Sequence, residues 1–381
     1  IDDNTVTLSL YAPNKEYVFV IGDFNDWNYD NNYQMSKDGD YFWITLDNLT
    51  AGKEYIFQYV IDGNIKIADP YADKLLDPWN DQYISSTTYP NLIPYPADKT
   101  SEIASVFQTA QTNYTWSDAQ FTPPLKEDLV VYELHVRDFT AAGDIKTVKD
   151  TLDYLKRLGV NAIELMPFNE FEGNDSWGYN PSFYFAPDKA YGTKNDYKAF
   201  IDECHSRGIA VYMDMVLNHT YGQSPFLRMY FDGSKPTADN PWYNVTSNFE
   251  NPDAQWGYDI NHTSTATQKL VDRINTYWMN EYHIDGFRFD FTKGFSNTPH
   301  SNTTDPWGGQ YDQERIDILK RMSTAIWNVK SNAVVIFEHL SDNAEEKELA
   351  AHGIMLWGNA NHEYCEASMG YSSDFNWYSW K

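Results

Sequence analysis

The chain has little cysteine, little positive charge and no long apolar run. Only Cys204 and Cys365 occur among 381 residues, too few for a disulfide framework. Cys204 shares a helical stripe with Tyr197, Phe200 and Ile201, which predicts a core thiol. Lys and Arg number 28 against 55 Asp and Glu, a net charge of −27, which argues against nucleic acid or an anionic membrane surface as partner. No apolar stretch approaches the ~18 residues of a membrane-spanning helix, so no membrane insertion is expected. There is no low-complexity tract and no internal repeat with a period of roughly 20–50 residues. The first residue is Ile1 rather than Met, so a missing leader says nothing about export.

What the chain has in excess is aromatic surface: 13 Trp and 29 Tyr, with aromatics at 17% overall. Such rings fill cores, and they also stack on the C–H faces of sugars. An acidic surface suits a neutral polysaccharide without demanding one. The length predicts two or three domains. Residues 1–90 alternate apolar and polar side chains (Val6, Leu8, Leu10; Tyr17–Ile21; Tyr41–Leu46; Tyr55–Ile61), punctuated by Asp38-Gly39, Ala51-Gly52 and Asp62-Gly63. That pattern predicts a small immunoglobulin-like β-sandwich. Residues 91–128, with Pro94, Pro96, Pro123 and Pro124, read as linker.

From residue 129 the pattern changes to short apolar strands alternating with helices. Strands are expected near 130–136, 162–167, 210–216, 286–291 and 333–340, with a weak sixth in Gly353–Gly358. Helices are expected at 146–158 (Val148, Leu152, Leu155 and Leu158 on one face, closed by Gly159), around Cys204, through Leu270, Val271, Ile274 and Trp278, and at 313–329. Residues 219–263 carry no stripe long enough for a packed helix, and so long an excursion in a compact domain is usually functional. Polar residues gather at the strand ends, as on the active-site face of an α/β, eight-stranded βα (TIM) barrel.

Three segments carry the chemistry. In Gly286-Phe-Arg-Phe-Asp-Phe-Thr-Lys293, Arg288 and Asp290 lie two apart and share one face of a strand. They form either a structural ion pair or an ionised, aimed carboxylate. Tyr212-Met-Asp-Met-Val-Leu-Asn-His219 ends in Asn218 and His219, and Val334-Val-Ile-Phe-Glu-His339 ends in a carboxylate. In this order and spacing the three resemble the signatures of the α-amylase superfamily of retaining glycoside hydrolases and transglycosylases. Gly22-Asp-Phe-Asn-Asp-Trp-Asn28 likewise resembles early-set, starch-binding-like modules that precede branching and debranching enzymes. Trp27 and Trp43 there either stack on glucan or pack as structural aromatics.

The resemblance implies a double displacement on α-1,4-glucans such as starch, glycogen and maltooligosaccharides. Asp290 would be the nucleophile and Glu338 the general acid/base. Arg288 is expected to lower the pKa of Asp290, and the apolar run before Glu338 to raise that of Glu338. Asp214 would hold Arg288, His219 would hydrogen-bond the sugar and Tyr179 would floor its subsite. Lys293 would lie towards the leaving group, although the family's usual following histidine is Gly294 here. A structural Ca²⁺ is implied on Asn218, with Asp259 a candidate second ligand; a turn or capping role fits either residue equally. No His/Cys spacing suggests zinc. Starch-degrading relatives work outside the cytoplasm, so a secreted or cell-envelope protein is expected.

The family's His-Asp pair on the seventh strand has no counterpart: after Glu338 the aspartates are Asp342 and Asp374, and neither follows a histidine. The barrel is therefore expected to be truncated after about six strands, and the chain alone to be inactive. A branching or debranching (α-1,6) enzyme is an alternative, favoured by the N-terminal module and by Tyr132-Glu-Leu-His-Val-Arg-Asp138. A non-catalytic glucan-binding protein is another.

Overall fold

The structure, a computed structural model, describes residues 3–117, 120–358 and 361–371, so Asp374 lies outside the described residues. Eight short strands come first: β1 Val6–Tyr11, β2 Val18–Gly22, β3 Ser36–Asp38, β4 Tyr41–Leu46, β5 Glu54–Ile61, β6 Ile65–Ile67, β7 Leu75–Leu76 and β8 Ala104–Gln108. They form two antiparallel sheets, β1-β4-β3 and β2-β5-β8-β7, with β6 paired to β5. Strand alternation sends Leu8, Leu10, Phe42 and Leu46 from one sheet, and Val18, Val20, Phe57 and Tyr59 from the other, into one core. The Asp62-Gly63 signal works as read. Asp62 has φ 50 and Gly63 φ 80, the pair of left-handed residues that a tight hairpin between β5 and β6 requires.

The sandwich continues beyond residue 90. Strand β8 lies within the stretch read as linker and pairs with β5 (Tyr55↔Phe107, Phe57↔Ser105) and with β7. Five residues between proline-rich flanks give too short a pattern to register, yet Ala104 and Val106 are buried against Ile21, Ile56 and Trp27. Trp27 is 8% exposed and its indole N–H donates to Asp23 Oδ1 at 3.2 Å, which makes it an interior residue. Trp43 is 43% exposed.

The second part is a parallel sheet with helices between its strands. After β9 Val131–Leu134 come α1 Val136–Phe139, α2 Ile145–Lys149 and α3 Leu152–Arg157; after β10 Ala162–Leu165 comes α4 Lys194–Ser206. Strand β11 Ala210–Met215 leads into the excursion, which holds β12 His219–Thr220, the one-turn α5 Pro225–Arg228 and β13 Tyr258–Asp259 before α6 Thr265–Glu281. Then follow β14 Gly286–Phe289, α7 Gln313–Val329, β15 Val334–Phe337, α8 Asn343–Ala351, β16 Met355–Leu356 and α9 Asn361–Ser368. The six parallel strands stand in the order β9-β10-β11-β14-β15-β16, a half-barrel whose edges among the described residues are β9 and β16. Every residue of β10, β11, β14 and β15 is buried, as two-sided covering demands.

The helices α4, α6 and α7 match their stripes, and each starts on a side-chain cap: Thr193, Ser264 and Asp312. Cys204 is fully buried in α4. The helix expected at 146–158 is instead two short ones, α2 and α3. Val148, Leu152 and Leu155 are buried, whereas Leu158 is 54% exposed, because Asp150 and Thr151 interrupt the register.

Candidate active site

The parallel register sets Asp214 on β11 beside Arg288 on β14, and Arg288 beside Ile336 on β15. Asp290 follows the end of β14 and Glu338 follows the end of β15, so both acids emerge at the strands' C-terminal edge. Backbone bonds continue the ladder past the strands: Asp290 N donates to Met215 O and Glu338 N to Phe289 O. The next residue, Phe291, is left-handed (φ 38), a strained turn that lets its N–H reach Glu338 Oε2 at 3.3 Å.

Arg288, 2% exposed, is the hub. Its Nη1 donates to Asp214 Oδ1 at 2.7 Å and to Asp290 Oδ1 at 3.3 Å, and its Nη2 to Glu338 Oε2 at 2.6 Å. Burial works against this charge, but Asp214, Asp290 and Glu338 together hold the guanidinium above its usual range. The expectation for Asp290 fails in sign. Burial pushes its pKa well up, and Asp214 and Glu338 add to that, so the opposing pull of Arg288 is outweighed. Burial likewise raises Asp214 to about 6 against the same guanidinium. Asp290 and Glu338 both accept from Arg288 and line one cavity, so the strand ends bring the two predicted acids to one place.

A cavity of about 300 Å³ opens over this pair, lined by Tyr179, His219, Tyr221, Trp256, Phe291 and the two acids. Tyr179 donates its hydroxyl to Asp214 Oδ2 at 2.7 Å. His219 is in the wall, with both ring nitrogens engaged: Asn218 Nδ2 lies 3.0 Å from Nδ1, and Nε2 lies 2.9 Å from Tyr179 O. Burial lowers its pKa to about 4, so it is neutral at pH 7. Lys293 is not among the lining residues; its ammonium sits 5.5 Å from the Phe291 ring, and burial lowers its pKa.

Sequence reasoning missed several participants. Trp256, edge-on to Phe291 at 4.8 Å, belongs to the excursion, where no periodicity marks it. Glu164 faces Arg288 from β10, 4.0 Å from its Nε, with a pKa raised to about 8 by burial and then by Asp214. The β15 loop is braced from behind. Thr292 N and Oγ1 donate to Glu338 O, His339 bridges Thr292 and Glu345, and Glu345 takes a two-point bond from buried Arg315.

Asn218 and Asp259 line a different cavity, of about 400 Å³, beside the excursion. Asn218 Oδ1 is buried with no hydrogen-bond partner among the described residues, and it lies where a Cβ at position 294 would sit (1.7 Å), which is why that residue is glycine. Asp259 accepts from Asn244 Nδ2 at 2.7 Å, and burial raises its pKa to about 7. An orphaned amide oxygen and an uncompensated carboxyl on one cavity fit a hard cation that takes oxygen ligands.

The family described as "Alpha amylase, catalytic domain" matches residues 107–256, and "Carbohydrate-binding module 48 (Isoamylase N-terminal domain)" matches residues 1–72. The malto-oligosyltrehalose trehalohydrolase of Saccharolobus solfataricus is 32% identical over 76% of this chain and 44% of its own length. The 1,4-alpha-glucan branching enzyme GlgB of Aliivibrio fischeri is 30% identical over 86% of this chain and 45% of its own. The chain therefore spans less than half the length of either relative. A pullulanase from Anoxybacillus, solved with maltotetraose, superposes with a TM-score of 0.65 at 22% identity, covering 89% of this chain and 48% of that one, a likeness of fold. With the signature acids assembled at the strand ends and both modules matched, the chain belongs to the α-amylase superfamily and carries an N-terminal module of the carbohydrate-binding-module-48 type.

Proposed function

We propose that the protein is a retaining glycoside hydrolase acting on α-1,4-glucans. The observation that carries this is the pairing of Asp290 and Glu338 over one aromatic-lined cavity, with Arg288 bonded to both. In this reading the glucose ring sits between the carboxyls and parts them towards the ~5–5.5 Å that retention needs. Asp290 Oδ attacks the anomeric carbon while Glu338 gives its proton to the departing glycosidic oxygen. Glu338 then takes a proton from water, which releases the sugar from Asp290. Trp256 and Tyr221 give the sugar apolar faces and exclude water. Reducing-end release from soluble starch by the complete protein tests the reading. Asp290→Asn should cut the rate at least about a thousandfold, roughly 4 kcal/mol. Normal turnover by that variant would end the assignment.

A branching or debranching enzyme is the second reading, supported by the module at residues 1–72 and by the branching enzymes among the relatives. Proton NMR of products from amylopectin separates gain or loss of α-1,6 links from α-1,4 cleavage. For calcium, Asn218 and Asp259 would be the protein ligands, and the ion would supply charge compensation that ties the excursion to the end of β11.

A further inference from the structure

The inner face of the parallel sheet carries one acid that the catalytic scheme does not use. Glu164 sits within β10 and is 3% exposed. Its neighbours Ile163 and Leu165 pack with the helices, so alternation sends Glu164 to the inner face, with Ala162, Tyr212 and Ile336. There it meets Asp214 of the adjacent strand β11 and Arg288 of β14, one strand further on. Two strand spacings are roughly 9–10 Å, so only two long side chains can approach each other across them.

A guanidinium offers five N–H donors in a fixed plane. In Arg288, Nη1 serves Asp214 and Asp290, Nη2 serves Glu338, and the Trp357 ring centre lies 4.6 Å from the guanidinium carbon. Nε has no hydrogen-bond partner among the described residues, and neither has Glu164 Oε1. These two buried atoms face each other at 4.0 Å. Buried donors and acceptors are seldom left unpaired, and a gap of that length closes through a small side-chain rotation or one bridging water. Burial, and then Asp214, raise the pKa of Glu164 to about 8; Glu133 and Glu338 add to this and Arg288 opposes it. At pH 7 the side chain is therefore a neutral acid. It offers Nε an acceptor oxygen without drawing the guanidinium's charge away from Asp290 and Glu338.

We propose that Glu164 is a positioning residue for the catalytic acids: its carboxyl oxygen takes the Nε–H of Arg288 and fixes the guanidinium plane, so that Nη1 and Nη2 stay aimed at Asp290 and Glu338. The proposal rests on the glycosidase reading of those two acids. Pinning Nε stops the plane from turning about the Cδ–Nε bond, a motion that would carry both terminal nitrogens off the acids. Glu164 is not among the lining residues of the catalytic cavity, so its effect falls on the chemical step rather than on substrate capture.

Glu164→Leu and Glu164→Gln in the complete protein, assayed on an aryl maltotrioside and in thermal melts, test this. Glu164→Leu removes the acceptor and should lower kcat at least about tenfold, with KM within about threefold and Tm not lowered. Glu164→Gln returns a neutral acceptor oxygen and should bring kcat back to within about threefold of wild type. In ¹⁵N–¹H spectra the Nε–H resonance of Arg288, assigned by its loss from Arg288→Lys, should move in Glu164→Leu and stay in place in Glu164→Gln. A kcat that Glu164→Leu leaves unchanged, or that Glu164→Gln fails to restore, would overturn the positioning role. So would a loss of rate that merely follows a falling Tm. If no form of the protein turns over the substrate, the glycosidase reading fails; an Nε–H resonance unmoved by Glu164→Leu would then overturn the positioning role as well.

Discussion

Arg288 decides more than any other side chain in this protein. It is almost fully buried and its two terminal nitrogens reach three carboxylates, so no single partner can be removed without leaving charge stranded. Arg288→Met should cost about 3–5 kcal/mol at pH 8, as expected when one member of a buried charge network is deleted. Without the guanidinium the pKa values of Asp214 and Asp290, already raised by burial, rise further and the folded variant takes up protons. Its deficit relative to wild type should therefore shrink as pH falls towards 4. Urea unfolding across that range checks it; a deficit independent of pH would show that Arg288 acts by packing alone. The two acids separate by leaving group. Glu338→Gln should lose about 10²–10⁴ in rate on unactivated glucans and much less on an aryl glycoside that departs unprotonated, whereas Asp290→Asn should fail on both. A Glu338→Gln loss equal on both substrates would remove its acid role.

At the scale of elements, the brace behind β15 matters as much as the strand. Arg315, Glu345, His339 and Thr292 form one chain of bonds from α7 through α8 to the loop that carries Glu338. Although burial opposes it, the bonds from His339 and Arg315 hold Glu345 down at about 2. A depressed acid contributes stability above its unfolded pKa that is lost as pH falls through the folded one. Glu345→Gln should therefore cost about 3 kcal/mol at pH 7 and progressively less from about pH 4.5 to 2, read by thermal melts. A constant cost would refute the linkage.

Legibility also divides at this scale. Helices α4, α6 and α7 have stripes of four or more apolar positions and capping residues, so their sequences announce them. Strand β8 is five residues among prolines, and α2 and α3 interrupt one another; in both cases tertiary pairing decides. Asp290, Glu338, Asp214 and Arg288 are legible through the resemblance of their three segments to the family's signatures, and strand ends in register then place them together. The pKa of Asp290 is not, since neighbours predict the pull of Arg288 but only the fold reveals the burial that overrides it. Trp256 and Tyr221 come from a loop without period, and only geometry selects them from its other aromatics.

As a whole molecule, the two parts are joined by more than a tether. Ala68, Ala72, Leu75 and Ile103 of the first pack on Phe183 and Ala186 of the second, and Glu102–Arg228 and Asp73–Lys194 ion pairs cross the junction at 2.5 and 2.6 Å. A single cooperative unfolding transition is expected in calorimetry; two resolved transitions would mean the modules are thermodynamically independent. The excursion adds a second whole-molecule term. A carboxyl raised to about 7 in the fold, as Asp259 is, costs stability as pH rises from about 4 to 7. Calcium should offset that cost, raising Tm at pH 8 by several degrees over a chelator control (about 1–3 kcal/mol), and Asp259→Asn should abolish the increment. An unchanged Tm would leave Asn218 and Asp259 with purely structural roles. The most direct measurement of the central claim is mass spectrometry of the protein quenched during turnover of a slow fluorinated glucosyl fluoride. The account predicts one covalent glucosyl adduct on the peptide containing Asp290, absent from Asp290→Asn; an adduct on any other residue would contradict it.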